Sequence, residues 1–185
     1  MTEMSRLDVD PDDFRARFTT AEFERMCASG AFEDMRVELV DGELARMQSP
    51  MSMHGMRQAR VAALMAQIVG FDRIVGAVGI DLVSDTVVEC NAAVLRQPVA
   101  ENRRLTATDL LLVVEIAETT LKRDLGMKRR KYAGGGIPHY WVVDGAAGLV
   151  HVFGEPDGAT YGTEQAVKFG EPLAVPGTDI TITID

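Results

Sequence analysis

The chain has 185 residues, 46% of them hydrophobic, which suits one domain with a buried core over residues 1–185. No stretch reaches the roughly 20 apolar residues of a membrane helix, and the N-terminus has no signal-peptide pattern. The two cysteines lack metal-ligand spacing. We therefore expect a cytoplasmic protein with free thiols and no membrane contact. The net charge of -9 argues, at face value, against a nucleic-acid partner.

The first part of the chain predicts a helix, a hairpin and a second helix. Threonines at 19–20, followed by glutamates, resemble a capping box that opens the first helix. Asp41-Gly42 stands between two short strands and is a strong hairpin signal. Apolar residues at helical spacing predict the second helix over 52–69. His54 lies near its start, where a core or capping histidine is more typical than a catalytic one.

Two strands, a loop and a central strand are predicted next. The strands cover 74–80 and 85–95, and the charged, proline-containing stretch 96–108 is typical of a loop. Residues 109–117 are almost continuously apolar, which is the pattern of a central strand that is covered on both faces.

The last part of the chain predicts a helix and three strands. A pair of threonines offers an N-cap to a helix over 120–133, which three consecutive glycines end. Strands are predicted over 139–143, 149–153 and 178–184. From this order of elements we expect one α/β domain, with a mixed β-sheet core flanked by helices.

A glutamate and a lysine occupy positions where the pattern predicts burial. Glu115 ends the apolar run of the central strand, and Lys128 lies on the helical stripe that also holds two leucines and a tyrosine. A buried carboxylate is costly unless it is paired or binds a cation. We therefore expect the two charged groups to approach each other. The alternative is a lysine that reaches past the core and pairs with Asp124, one turn earlier.

Polar side chains on the strand over 85–95 are candidates for the same site. Period-two alternation puts the following residues on one face: Asp85, Val87, Glu89, Asn91 and Ala93. The opposite face is apolar and consists of Val88, Cys90, Ala92 and Val94. Polar groups beside Glu115 could converge on a divalent cation such as Mg²⁺, whose ligands are oxygens. A nearby lysine would neutralise the charge that develops on a phosphate.

Three segments together resemble the Uma-type "putative restriction endonuclease" family of the PD-(D/E)XK nuclease superfamily. These segments are Val37–Leu44 with Pro50 and His54, then Leu112–Ile116 with Thr119, Thr120, Asp124, Lys128 and Tyr132, and finally Gly136–Asp144. The resemblance covers roughly residues 19–155, with 1–18 as an N-terminal extension and 156–185 as a C-terminal β segment. It implies a restriction-endonuclease-like fold and Mg²⁺-dependent hydrolysis of phosphodiester bonds in DNA.

The resemblance also implies roles for particular residues. An aspartate and a glutamate bind Mg²⁺ in this superfamily, and Glu115 matches the glutamate. The lysine of an E-x-K element would fall at Ala117, but this family carries it on the following helix, where Lys128 stands. Glu38 matches an upstream acid that joins the metal shell. In our own interpretation of the spacing, Asp124 would hold Lys128 in place, and Lys128 would orient the attacking water or stabilise charge on the phosphate.

One position departs from the family pattern. Where the family has Pro-Asp, this chain has Cys90-Asn91. Asparagine offers a neutral oxygen, so the metal site loses a full negative charge. Glu89 lies on the same strand face and is the alternative ligand. We expect Mg²⁺ or Mn²⁺ to bind weakly and DNA cleavage to be impaired, and we expect Cys90 to be an inert buried thiol.

The middle of the chain is basic although the protein as a whole is acidic. Residues 44–143 carry a net charge of +4, and both flanking segments are acidic. The residues expected to hold nucleic-acid phosphates are Arg103, Arg104, Arg129, Arg130 and Lys131. A solvated helix face explains the same charges equally well. Two rival functions therefore compete with the endonuclease. One is a DNA-binding module without hydrolytic activity, and the other is a protein-interaction domain that uses the acidic ends. The sequence leaves open whether the protein forms a homodimer.

Overall fold

Residues 15–185 are described by a computed structural model, so most of the predicted extension at 1–18 lies outside the described residues. Four α-helical segments are present: α1 (Thr20–Ala28), α2 (Ser52–Val69), α3 (Leu121–Arg123) and α4 (Arg129–Gly134), with a π-helical turn over Asp124–Lys128 and 3-10 turns over Phe71–Arg73 and Ala107–Asp109. The strands are β1 (Val37–Val40), β2 (Glu43–Arg46), β3 (Ile74–Leu82), β4 (Thr86–Leu95), β5 (Leu105–Thr106), β6 (Leu110–Ala117), β7 (His139–Asp144), β8 (Leu149–Asp157), β9 (Thr160–Lys168), β10 (Leu173–Ala174) and β11 (Thr181–Ile182).

Nine of these strands form one mixed sheet. Its main path runs β2-β1-β4-β6-β7-β8-β9, while β3 pairs with β4 and with β5. The β6–β7 and β3–β5 pairs are parallel and the other pairs are antiparallel. The predicted α/β fold with a mixed sheet flanked by helices is confirmed. Within residues 15–185, no helix has the length and apolarity that crossing a membrane requires.

Local sequence signals explain several of the element boundaries. Thr19 and Glu22 form the predicted capping box at the start of α1. Asp41 and Gly42 both adopt positive φ, at 52° and 78°, which is the conformation of a tight type I′ hairpin turn. The turn brings Val40 opposite Glu43 and fixes the β1–β2 register.

Both faces of the sheet are covered, and alternation along β6 assigns its side chains to them. Leu112, Val114 and Ile116 belong to the cluster that packs against α2. Val113 and Ala117 belong to the cluster that includes residues of α4. Alternation places the Glu115 side chain on the α4 face, and this is why a carboxylate is buried there.

The predicted faces of β4 are correct only up to its middle. Val88 and Cys90 pack in the α4-side cluster, but the next two even-numbered residues, Ala92 and Val94, pack in the α2-side cluster. The alternation therefore changes sides at Asn91, opposite a backbone irregularity at Ala77, whose φ is 50°. Strand periodicity alone could not show this, because the irregularity is on the neighbouring strand.

Two strands share one edge of β4 and leave a gap between them. The edge pairs with β1 at Val87 and with β6 only from Ala92 onward, while β3 covers the other edge along nearly the whole strand. Residues 88–91 are therefore without a strand partner on that edge. Their backbone groups need other hydrogen-bond partners, and side chains supply them.

Candidate active site

Glu115 and Lys128 meet at the gap in the sheet, as the sequence predicts. The Lys128 ammonium lies 2.7 Å from Glu115 Oε1, and both residues are at most 3% exposed. The Tyr132 hydroxyl donates to the same carboxylate oxygen at 2.7 Å. A carboxylate with two donors on one oxygen is held firmly in place, so the position of Glu115 is fixed by the helix above it.

Side chains also satisfy the unpaired backbone of β4. Lys128 donates to the carbonyl oxygen of Glu89 at 2.7 Å. The Glu89 N–H donates to Glu38 Oε1 at 2.8 Å, and this oxygen lies 3.7 Å from the Lys128 ammonium. Glu38 is 1% exposed, and its other oxygen pairs with Arg123. The gap thus contains Glu38, Glu115 and Lys128 as one hydrogen-bonded group, close to the predicted arrangement.

Asp124 does not hold Lys128, contrary to the prediction. Its carboxylate accepts a hydrogen bond from the Thr120 hydroxyl. In the described part of the chain, no ion pair joins it to Lys128, whose partners are Glu115 and Glu38. Asp124 is 3% exposed, and burial, together with the nearby charge of Glu115, raises its pKa to about 6. A carboxyl group that titrates near neutrality beside a cleft is suited to exchange protons.

A π-helical turn explains why the buried stripe differs from the predicted one. The Arg129 N–H reaches back to the Asp124 carbonyl oxygen, which also accepts from the Tyr140 hydroxyl at 3.1 Å. Asp124 and Lys128 are both buried, whereas the leucines of the predicted stripe are only partly buried. Turns of this kind are common at functional sites because they insert a residue without ending the helix.

Asn91 bridges β4 and β6 where the two strands separate. Its Oδ1 accepts from the Ile116 N–H at 2.8 Å, so the side-chain amide replaces a missing strand-to-strand hydrogen bond. Its Nδ2 lies 3.0 Å from His54 Nε2. Since the amide nitrogen can only donate, this histidine nitrogen accepts and the ring is neutral. Burial lowers the pKa of His54, in agreement.

His54 is therefore neither a core residue nor a helix cap, the two roles that its position suggested. Met51, not His54, is the N-cap of α2, and the imidazole is partly buried against Asn91 on the wall of a cleft. Helical spacing placed it correctly on the inner face of α2 but could not show that this face meets the gap in the sheet.

The gap opens into a cleft of about 590 Å³. Glu115, Asp124 and Lys128 line its floor, and the arginines Arg36, Arg46 and Arg123 line it as well. These three arginines come from distant parts of the sequence, so the charge pattern along the chain did not reveal them. Arg36 and Arg123 pair with Glu89 and Glu38, and Arg46 is exposed at the cleft.

The carboxylates at the gap are already bound by cations of the protein. Glu89, the alternative metal ligand, pairs with Arg36, and Asn91 Oδ1 is committed to the Ile116 N–H. Among residues 15–185, no three histidine, cysteine, aspartate or glutamate side chains are placed to hold a metal ion together. The donor set therefore does not fit a preformed Mg²⁺ or Mn²⁺ site.

Four of the five predicted phosphate-binding residues are engaged elsewhere in the protein. Arg103 binds both oxygens of Asp109 at 2.8 Å, Arg104 pairs with Asp81 at 2.7 Å, Arg129 pairs with Glu164 at 3.4 Å, and Lys131 pairs with Asp41. Arg130 is exposed and lines a shallow pocket together with Lys122 and Arg123, beside the cleft. Of the five predicted residues, Arg130 alone contributes to this basic surface beside the cleft.

The nine-stranded mixed sheet with its flanking helices places the chain in the class of restriction-endonuclease-like α/β proteins. It belongs to the Uma2 family, described as "Putative restriction endonuclease", whose model matches residues 20–185. The matched range includes residues 156–185, the predicted C-terminal β segment.

A solved structure shows the same fold. The chain matches the crystal structure of "a putative nuclease belonging to DUF820" from Anabaena variabilis ATCC 29413 with a TM-score of 0.67 and 18% sequence identity, over 90% of this chain and 95% of that chain. Likeness at this level of identity concerns the fold alone. No curated protein matches the sequence.

Proposed function

We propose that this protein is a DNA endonuclease that hydrolyses phosphodiester bonds in the cleft above Glu115 and Lys128, at a low rate. The observation that carries the proposal is the ion pair itself. Two nearly inaccessible charges are kept 2.7 Å apart at the floor of an open cleft, although a pair of apolar residues would cost the fold less. The family supports DNA as the substrate.

In the proposed reaction, Lys128 stabilises charge on the scissile phosphate or orients the attacking water. Arg46, which is exposed, holds a neighbouring phosphate oxygen at the cleft, while Arg36 and Arg123 neutralise Glu89 and Glu38. Mg²⁺ or Mn²⁺ is part of the proposal as a weakly bound ion, for which Glu115, Asn91, Glu89 and Glu38 are the nearest oxygen donors. Because these donors do not form a ready site, we assign no step of the reaction to the ion.

The proposed low rate follows from the chemistry at Asn91. The amide oxygen is neutral and already accepts a hydrogen bond from the backbone of Ile116. An aspartate there could accept the same bond with one oxygen and still offer an anionic second oxygen to a cation. A cytoplasmic location agrees with the free cysteines Cys27 and Cys90. The location and the homodimer stay predictions.

Nicking of supercoiled plasmid with MgCl₂ or MnCl₂ tests the proposal. We expect slow nicking that EDTA abolishes and that Glu115→Gln lowers at least tenfold. The matched control is Glu118→Gln, because Glu118 lines the same cleft but pairs with Arg57 instead of Lys128. Nicking that survives Glu115→Gln, or that the two substitutions reduce equally, would contradict the assignment of the site.

A second candidate function is DNA binding without cleavage. The observation in its favour is that Glu38, Glu89 and Glu115 each already pair with a cation of the protein, which leaves few sites for a metal ion. Absence of nicking under every metal condition, together with salt-dependent DNA binding, would support this candidate over the endonuclease. Absence of both nicking and DNA binding would favour the third function, a protein-interaction domain.

A further inference from the structure

The Lys128 ammonium has surroundings that resemble the ligand set of a metal ion. Three oxygens from three different residues surround it: Glu115 Oε1 at 2.7 Å, the Glu89 carbonyl oxygen at 2.7 Å, and Glu38 Oε1 at 3.7 Å. Carboxylate and carbonyl oxygens are also the donors that a hard divalent cation selects. The ammonium is nearly inaccessible to solvent, since Lys128 is 3% exposed.

The charges around this position leave little attraction for a second cation. Arg123 pairs with Glu38, Arg36 pairs with Glu89, and Lys128 pairs with Glu115. Three carboxylates are thus matched by three cations of the chain itself, while Asp124 and the exposed Arg46 add one charge of each sign to the cleft. A metal ion approaching the gap would meet nearly balanced charge instead of an anionic pocket.

The lysine ammonium and a metal ion would repel each other strongly if both were bound to Glu115 Oε1. A bound Mg²⁺ lies about 2.0–2.1 Å from its oxygen ligands, and the ammonium lies 2.7 Å from the same oxygen. The two cations would then be less than about 5 Å apart in a buried site, where little water screens their repulsion. This repulsion opposes the simultaneous binding of both cations at this oxygen.

We propose that Lys128 is the resident cation of this site, and that a divalent ion binds only by displacing its ammonium from Glu115 and from the carbonyl of Glu89. This inference rests on the proposed function in taking the same cleft as the active site. It makes Lys128 a barrier to metal binding as well as a partner for the phosphate. It also explains why the donor set does not fit a metal ion while the ammonium is in place.

Mn²⁺ binding to the full-length, EDTA-treated protein, followed by electron paramagnetic resonance of the free ion, tests the inference. Lys128→Gln removes the positive charge but keeps a donor for Glu115, and we expect it to bind Mn²⁺ at least tenfold more tightly than the native protein. Adding Glu115→Gln to that variant should remove the gain. Lys131→Gln is the matched control, because this lysine pairs with Asp41 outside the cleft and its loss should leave Mn²⁺ affinity unchanged.

A measurement on the unsubstituted protein covers the case in which the variants do not fold. The slowly exchanging ammonium of Lys128 should give a ¹⁵N resonance, which disappears or shifts to a solvent-exposed position when Mg²⁺ saturates the protein. Calorimetric Mg²⁺ binding with an unchanged ammonium resonance would overturn the inference. So would native and Lys128→Gln proteins that bind Mn²⁺ equally well.

These readouts separate the inference from the proposed function because none of them measures cleavage. If Lys128→Gln gains Mn²⁺ affinity but no form of the protein nicks DNA, displacement stands and the endonuclease proposal fails. If the protein nicks DNA but Lys128→Gln gains no affinity, the endonuclease proposal stands and displacement fails.

Discussion

At the residue scale, the most consequential side chain is Asn91. Its amide closes the ladder between β4 and β6 through Ile116, and on its other side it donates to His54. An aspartate could accept the hydrogen bond from Ile116 but could not donate one to His54, because a carboxylate has no proton to donate. The asparagine therefore makes this point of the site neutral and closed, whereas an aspartate would make it anionic and able to bind a cation.

Asp124 gives a prediction about pH at the same scale. Its pKa is 3.8 in the unfolded chain and about 6 in the folded one, so the folded state binds the proton more tightly between these values. The stabilising contribution of that proton is complete below about pH 4 and is lost as the pH rises through 6. Asp124→Asn, which has no charge to bury, should therefore gain about 2 kcal/mol relative to the native protein between pH 4 and pH 7.5.

The measurement is urea unfolding of both proteins in EDTA at the two pH values. The difference between their free energies of unfolding should change in favour of the asparagine variant as the pH rises. A difference that stays constant would mean that burial does not raise the pKa of Asp124.

At the element scale, two tyrosines fasten the helical segment to the sheet. Tyr132 donates to the Glu115 carboxylate, and Tyr140 donates to the carbonyl oxygen of Asp124 in the π-helical turn. Both rings are fully buried and lie 5.0 Å apart, centroid to centroid. The position of Lys128 over the gap depends on this attachment.

The two tyrosines provide a matched pair of substitutions. Tyr132→Phe removes a hydrogen bond to a charged group and should cost roughly 1.5–3 kcal/mol of stability. Tyr140→Phe removes a hydrogen bond to a neutral carbonyl in equally buried surroundings and should cost roughly 0.5–1.5 kcal/mol. Urea unfolding at pH 7.5 measures both. If Tyr140→Phe were the more destabilising, the Glu115 carboxylate would not depend on Tyr132.

Sequence reasoning identified the elements because their signals are local. The Asp41-Gly42 turn and the helical spacing of α2 predicted both elements closely, and burial predicted the meeting of Glu115 with Lys128. It missed the change of faces along β4, which falls where the β3–β4 ladder leaves out both Asn91 and Ala77. It also missed the π-helical turn, in which the Asp124 carbonyl oxygen accepts from the Arg129 N–H and also from Tyr140 outside the helix.

At the scale of the whole molecule, the distribution of charge changes when the chain folds. The predicted basic residues mostly pair with acids that are distant in sequence, as Lys131 does with Asp41 across 90 residues. Long-range contacts of this kind are invisible to a count of charges along the chain. The sequence did not indicate that two exposed cations, Lys122 and Arg130, lie together near the cleft.

These two cations give a prediction about DNA affinity. The double substitution Lys122→Ala and Arg130→Ala should lower the slope of log affinity against log salt concentration by roughly two, one for each lost phosphate contact. Fluorescence anisotropy with a labelled duplex between 50 and 200 mM salt (roughly the range over which such slopes are resolved) measures it. Arg103→Ala with Arg129→Ala is the control, since both arginines already pair within the protein. An equal loss of slope in the control would place the DNA elsewhere.

The central claim is that DNA is hydrolysed in the cleft above Glu115 and that Asn91 limits the rate of this reaction. Its most direct test is the rate of Mg²⁺-dependent plasmid nicking by Asn91→Asp relative to the native protein. We expect at least a tenfold increase, which Glu115→Gln in the same background abolishes. A native protein that already nicks as fast as Asn91→Asp, and that loses this activity on Glu89→Gln, would show that Glu89 replaces the missing acid and would contradict the account.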